Sequence, residues 1–177
     1  MGYFCGNGGT TGTAAIQFYH PLTAVQFKLG LMGDVNCINS LSIYNVYDGG
    51  VATFTEGGFN TTTGTTVSWT PSSTMINHLT QDFTSAPIEY ASSTNVGETF
   101  ILVPQDLSSE HVLVCTNVNV TTTTGDIDMD LWAELNTGNW YPGFIHTYSL
   151  KYGIDGNTLL PTLTIEPWVL SQNDIDL

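Results

Sequence analysis

The chain has 177 residues, with 2 Lys and Arg against 16 Asp and Glu, a formal charge of −14 and a pI near 4.1. Its only cations are Lys28 and Lys151, which excludes nucleic-acid binding, phosphate clamps and basic membrane-surface patches, since all of these draw on Lys and Arg. Hydrophobic residues reach 41%, enough for a core, and about one residue in seven is Thr, which suits pleated surfaces and forms helices poorly.

The start, Met1 to Cys5, has neither a basic n-region nor an apolar h-region, so it does not read as a signal peptide. No stretch approaches the ~20 apolar residues of a membrane span. Alternation begins at Ile16, Phe18 and His20, and His20 on that face reads as a satisfied core histidine. Val25, Phe27 and Leu29 continue the pattern after Pro21. Ser40 to Tyr47 forms the next strand, closed by the turn signal Asp48-Gly49-Gly50, with Val51 to Thr55 as its expected hairpin partner.

Residues 56–66 are a loop by composition, followed by a short strand around Trp69. Met75, Ile76, Leu79 and Phe83 have helical spacing after Ser72 and Ser73, which predicts a short helix. Thr99 to Pro104 is apolar on both faces and reads as a central strand. His111 to Val120 carries Val112, Val114, Val118 and Val120 on one face. From Asp126 to Leu135, Ile127, Met129, Leu131, Ala133 and Leu135 point one way, while Asp126, Asp128, Asp130, Trp132 and Glu134 point the other. Thr147 to Tyr152 and Leu163 to Trp168 complete about eight to ten strands with polar turns and no α-crossovers. That pattern predicts an all-β sandwich or barrel.

Few motifs carry chemistry. Asp126, Asp128 and Asp130 stand on one strand face about 6–7 Å apart. As a calcium loop the run fails, with Leu131 where Gly is needed and no Glu at the twelfth position. It resembles the Glu-x-Asp-x-x-Glu strand of laminarinase-like glycosidases only in part: Asp126 replaces the first Glu and Leu131 the second, which disturbs a carboxylate pair of fixed separation. The run therefore reads as a solvated acidic face, with a weak surface cation site as the alternative. There is no G-x-S-x-G elbow, no paired His motif among His20, His78, His111 and His146, and no G-x-G-x-x-G; no catalytic residue, cofactor or nucleotide is expected.

Three cysteines, Cys5, Cys37 and Cys115, make no complete disulfide framework and no zinc site. Cys37 and Cys115 read as small buried hydrophobes, although a Cys5–Cys37 or Cys37–Cys115 bridge stays open. Asn60-Thr61-Thr62 and Asn119-Val120-Thr121 match the glycosylation sequon, which matters only on a eukaryotic secretory route. The aromatics Trp132, Trp140, Tyr141, Phe144, Tyr148 and Trp168 read mainly as core and edge cover, with a sugar-stacking platform as the alternative.

Four segments occur in order: Phe18-Tyr-His-Pro-Leu-Thr-Ala-Val-Gln-Phe27, Phe100-Ile-Leu-Val-Pro-Gln105, Trp140-Tyr-Pro-Gly-Phe-Ile-His-Thr-Tyr148 and Thr164-Ile-Glu-Pro-Trp168. Together they resemble the second, C-terminal domain of fimbrillin-like proteins, the major and minor fimbrial subunits of anaerobic gut and oral bacteria. One departure is His146-Thr147-Tyr148, where the family has aromatic-x-aromatic.

The resemblance implies a transthyretin-like Greek-key β-sandwich with at most one short helix. It divides the chain into a linker at 1–12, one sandwich domain at 13–170 and a tail at 171–177. It also implies a non-enzymatic subunit of a surface pilus, itself a lipoprotein exported to the outer-membrane surface, whose export signal is not in this chain. Its partners would be other pilus subunits, joined by donor-strand insertion, and host or bacterial surface glycans or proteins. Family processing is commonly after Arg, and this chain has none, so the processed strand would lie upstream or the member would be an unprocessed tip or accessory subunit. The tail Val169 to Leu177 is either a donor segment or a frayed terminus. The alternative function is a surface carbohydrate-binding domain that stacks ligands on Trp132.

Overall fold

A computed structural model describes residues 20–30, 34–54, 67–89, 95–108, 111–135, 138–152 and 159–168. The strands are β1 (Thr23–Leu29), β2 (Val35–Val46), β3 (Gly50–Phe54), β4 (Val67–Pro71), β5 (Ile76–Asp82), β6 (Ile88–Glu89), β7 (Phe100–Leu102), β8 (Leu113–Thr122), β9 (Gly125–Glu134), β10 (Phe144–Tyr152) and β11 (Leu159–Pro167). They form two facing sheets rather than a barrel. Sheet I has the order β11-β10-β1-β7, and sheet II the order β5-β2-β8-β9, with β6 also paired to β2. A small ribbon, β3-β4, stands apart.

The core follows from the alternation. Val25 and Phe27 of β1 and Tyr148 and Leu150 of β10 are buried with Leu41 and Ile43 of β2, Val114 and Val118 of β8 and Leu131 of β9. At roughly 25 cal/mol per Å² of apolar surface, this inward face is the main stabilising term. Every described strand pair is antiparallel except β1 with β10, which run parallel with Val25 beside His146 and Phe27 beside Tyr148. The chain therefore crosses between the sheets more than once before it returns to lie along β1.

One flank is closed by a reciprocal amide clamp. Gln81 on β5 donates from Nε2 to the Glu98 carbonyl at 2.9 Å, and its Oε1 accepts from the Glu98 N–H at 2.7 Å. Gly97 sits beside it with φ +68°, and a Cβ there would run into the Gln81 carboxamide and the Phe83 ring. Only glycine satisfies both demands.

Three expectations are corrected. The segment read as a short helix is the edge strand β5, antiparallel to β2. Asn45, with φ 60°, interrupts the alternation of β2, so Ile43 and Val46 are both buried although three apart. Their register partners Leu79 and Ile76 inherit that spacing and both pack against the core, which mimics a helical period. The return strand from Gly50 pairs with β4, not with β2, whose edges are already occupied by β5, β6 and β8. A Cβ on Gly50 would come within 2.5 Å of the Thr70 carbonyl, so glycine permits that close ribbon. Finally, β7 is an edge strand of sheet I, not a central one. Its outward residue Ile101 is 47% exposed and lies in register with buried Ala24, which is why both faces read as apolar.

Candidate functional site

The outer face of sheet II holds the residues singled out from the sequence. Asp126, Asp128, Asp130 and Trp132 all point outward from β9, beside Thr121, Asn119, Asn117 and Cys115 of β8. With both lysines on sheet I, neutral groups on the neighbouring strands serve the carboxylates. Thr121 donates to Asp126 at 2.9 Å, Asn119 to Asp128 at 2.8 Å and Asn117 to Asp130 at 2.7 Å. Asn39 of β2 extends the ladder, donating to Asn117 at 2.9 Å and to Asp128 at 3.2 Å. Among the described residues, no three His, Cys, Asp or Glu groups are gathered within reach of one metal ion.

Beyond the ladder the face turns aromatic. Trp132, 38% exposed, lies 5.1 Å from the half-buried Tyr44 ring, which lies 5.4 Å from His78. His111 and Glu134 make an exposed 2.7 Å pair nearby. In register with Trp132, the Cys115 thiol is pushed up to about 12 by burial and by the charge of Asp130, so it carries no thiolate at neutral pH. Cys37 and Cys115 are free, so the Cys37–Cys115 bridge does not form. Cys5 lies outside the described residues.

The other aromatics do not join Trp132 in a platform. Trp140, Phe144 and Tyr148 are buried, while Tyr141 and Trp168 are half-buried. Trp140 donates its indole N–H to the Tyr148 hydroxyl at 2.9 Å inside the core. Next to it, His146 Nε2 accepts from the Tyr141 backbone N–H at 3.1 Å, which puts the proton of the neutral ring on Nδ1. That Nδ1 is buried with no hydrogen-bond partner among the described residues, and burial pushes the imidazole down to about 4. His20 stacks on Trp168 with centroids 3.6 Å apart. Its Nε2 is also without a hydrogen-bond partner among the described residues, so the expected satisfied histidine is not what the described contacts give.

A cleft of about 490 Å³, which strand alternation does not reveal, lies at the loop end of the sandwich, lined among others by Tyr47, Trp69, Gln105, Asp106, Asn139 and Tyr141. Two of the segments quoted above meet there: the Gln105 carbonyl accepts from the Trp140 N–H at 2.9 Å. The available signal was two turn-rich stretches, Pro104-Gln-Asp106 and Gly138-Asn-Trp-Tyr-Pro142, each beside an apolar strand. Nothing in alternation says that they converge.

Two facing sheets, with polar side chains covering the outer face of sheet II, define a β-sandwich. The chain matches the fimbrillin-like family across residues 6–168 and belongs to it. That family is one of structural, non-enzymatic proteins. No curated protein is significantly similar to the chain in sequence.

Solved structures with a related arrangement include a candidate cell-adhesion protein from Bacteroides ovatus ATCC 8483, at 16% identity and TM-score 0.45, covering 87% of this chain and 47% of that one. A fimbrial protein from Bacteroides vulgatus ATCC 8482 is 13% identical at TM-score 0.44, covering 85% and 55%. A candidate cell-adhesion protein from Bacteroides uniformis ATCC 8492 is 10% identical at TM-score 0.43, covering 85% and 52%. The chain thus spans about half the length of each. At these scores the likeness adds nothing to the family match.

Proposed function

We propose that this chain is a structural or adhesive subunit of a bacterial surface pilus, assembling with neighbouring subunits by β-strand exchange. Membership of the fimbrillin-like family over residues 6–168 is the observation that carries the reading. The architecture is compatible with it: both sheets end in edge strands, and those edges bear exposed apolar residues, Ile101 on β7, Ile127 on β9 and Leu160 and Ile165 on β11. An added strand gains main-chain hydrogen bonds from such an edge and specificity from alternate side chains. On the same reading the protein is an exported lipoprotein at the outer-membrane surface.

Deleting the gene, then complementing it with the full-length protein or with one lacking residues 170–177, tests both levels. Loss of surface fibres on deletion supports a subunit role, and unchanged fibres contradict it. Restored fibres with the shortened tail would rule out that tail, which lies outside the described residues, as the donor strand.

A second reading, a surface carbohydrate-binding domain, draws on the exposed Trp132–Tyr44–His78 row. A glycan array with a Trp132→Ala control separates the two, since Trp132-dependent sugar binding favours the second.

A further inference from the structure

We propose that the cleft at the loop end of the sandwich is a binding site for a short neutral saccharide, an inference about what the domain holds rather than how subunits join. Its volume of about 490 Å³ falls within the range of small-molecule sites, with room for one or two hexose rings. The lining selects the ligand by elimination. Neither of the chain's two lysines lines it, so an anion finds no counter-charge. A wholly apolar ligand would strip water from Asp106 and Gln105 without replacing its hydrogen bonds. A neutral polyol satisfies both halves of the wall: its C–H faces lie against Trp69 and Tyr141, and its hydroxyls reach Asp106, Gln105 and Asn139.

The polar groups are held ready. Ser108 fixes one oxygen of the exposed Asp106 carboxylate, through its N–H at 2.8 Å and its hydroxyl at 2.6 Å. Gln105 is only 5% exposed. Its carboxamide makes two long contacts, accepting from the Tyr47 N–H at 3.3 Å and donating to the Val103 carbonyl at 3.4 Å. A primary amide offers two N–H groups and two lone pairs, so half its capacity is unspent on those contacts. The Trp69 indole N–H is committed to the Pro21 carbonyl at 2.7 Å, which locks the ring and leaves it to act as surface. Tyr141 is tethered through its backbone to His146. Pre-set groups of this kind lower the ordering cost of binding. The Trp132 face is not enclosed in this way: its ring is exposed on one side and packed on Tyr44 on the other.

The test is an NMR titration of the isotope-labelled chain with maltose, lactose and N,N′-diacetylchitobiose at millimolar concentration, with a sulfated heparin disaccharide as the anionic counterpart. At least one neutral disaccharide should shift the signals of Trp69, Asn139 and Tyr141, and the sulfated sugar should shift none of them. Asp106→Asn and Asn139→Ala should each weaken binding about tenfold, the loss of one good hydrogen bond to a charged or buried partner. The inference is overturned if no neutral disaccharide moves the cleft, if the sulfated sugar binds there, or if binding survives both substitutions and is lost only in Trp132→Ala. The wild-type titration decides by itself should a variant fail to fold. Because it reads the isolated chain, its outcome is independent of whether fibres form.

Discussion

The exposed ladder on sheet II and the buried polar pairs beneath sheet I use the same kinds of group to opposite effect. On the outer face, three aspartates accept from Asn and Thr across β8 and β9, with water free to replace any partner. Inside, the Trp140 indole donates to the Tyr148 hydroxyl at 2.9 Å, and the His146 ring accepts from the Tyr141 N–H, with no water to take the place of either partner. Burial, not the number of hydrogen bonds, decides which set the fold depends on.

The largest expected effect is Trp140→Ala. It should cost about 3–5 kcal/mol, read as a fall in the urea midpoint, because it opens a cavity and orphans Tyr148. Next comes acid sensitivity at His146. Above pH 6.5 the ring is neutral whether folded or unfolded. Below that, the unfolded chain takes up a proton that the buried ring refuses until about pH 4. Stability is therefore lost as pH falls through this window, on the order of 3 kcal/mol in all. His146→Gln should remove that slope, leaving the smaller, opposite relief of carboxylate repulsion. Tyr148→Phe should cost about 1–3 kcal/mol by leaving the indole N–H unpaired. Asp128→Asn on the ladder should change stability by less than about 0.5 kcal/mol. A cost for Asp128→Asn as large as that for Tyr148→Phe would break the contrast.

The same contrast marks what the sequence made legible. Alternation named both faces of β9 residue by residue, because β9 is a regular strand whose apolar side dries from the exposed Ile127 through Met129 to the buried Leu131 and Ala133. It failed where regularity fails. The left-handed Asn45 put a helical spacing onto β5, and β3, with the edges of β2 already taken, pairs outside both sheets through a close approach that Gly50 permits. The acidic run was visible as a stripe, but its amide partners Asn39, Asn117 and Asn119 come from two other strands. The cleft was hidden for the same reason, since Trp69, Gln105 and Asn139 are far apart in the chain and meet only through the topology.

The proposed function requires this domain to be built into a surface fibre. Immunogold electron microscopy of intact cells producing the full-length protein, with an antibody raised against this domain, tests it most directly. Gold aligned on fibres, along the shaft or at the tip, is the predicted result. Gold scattered over the envelope of cells whose fibres carry none would contradict it.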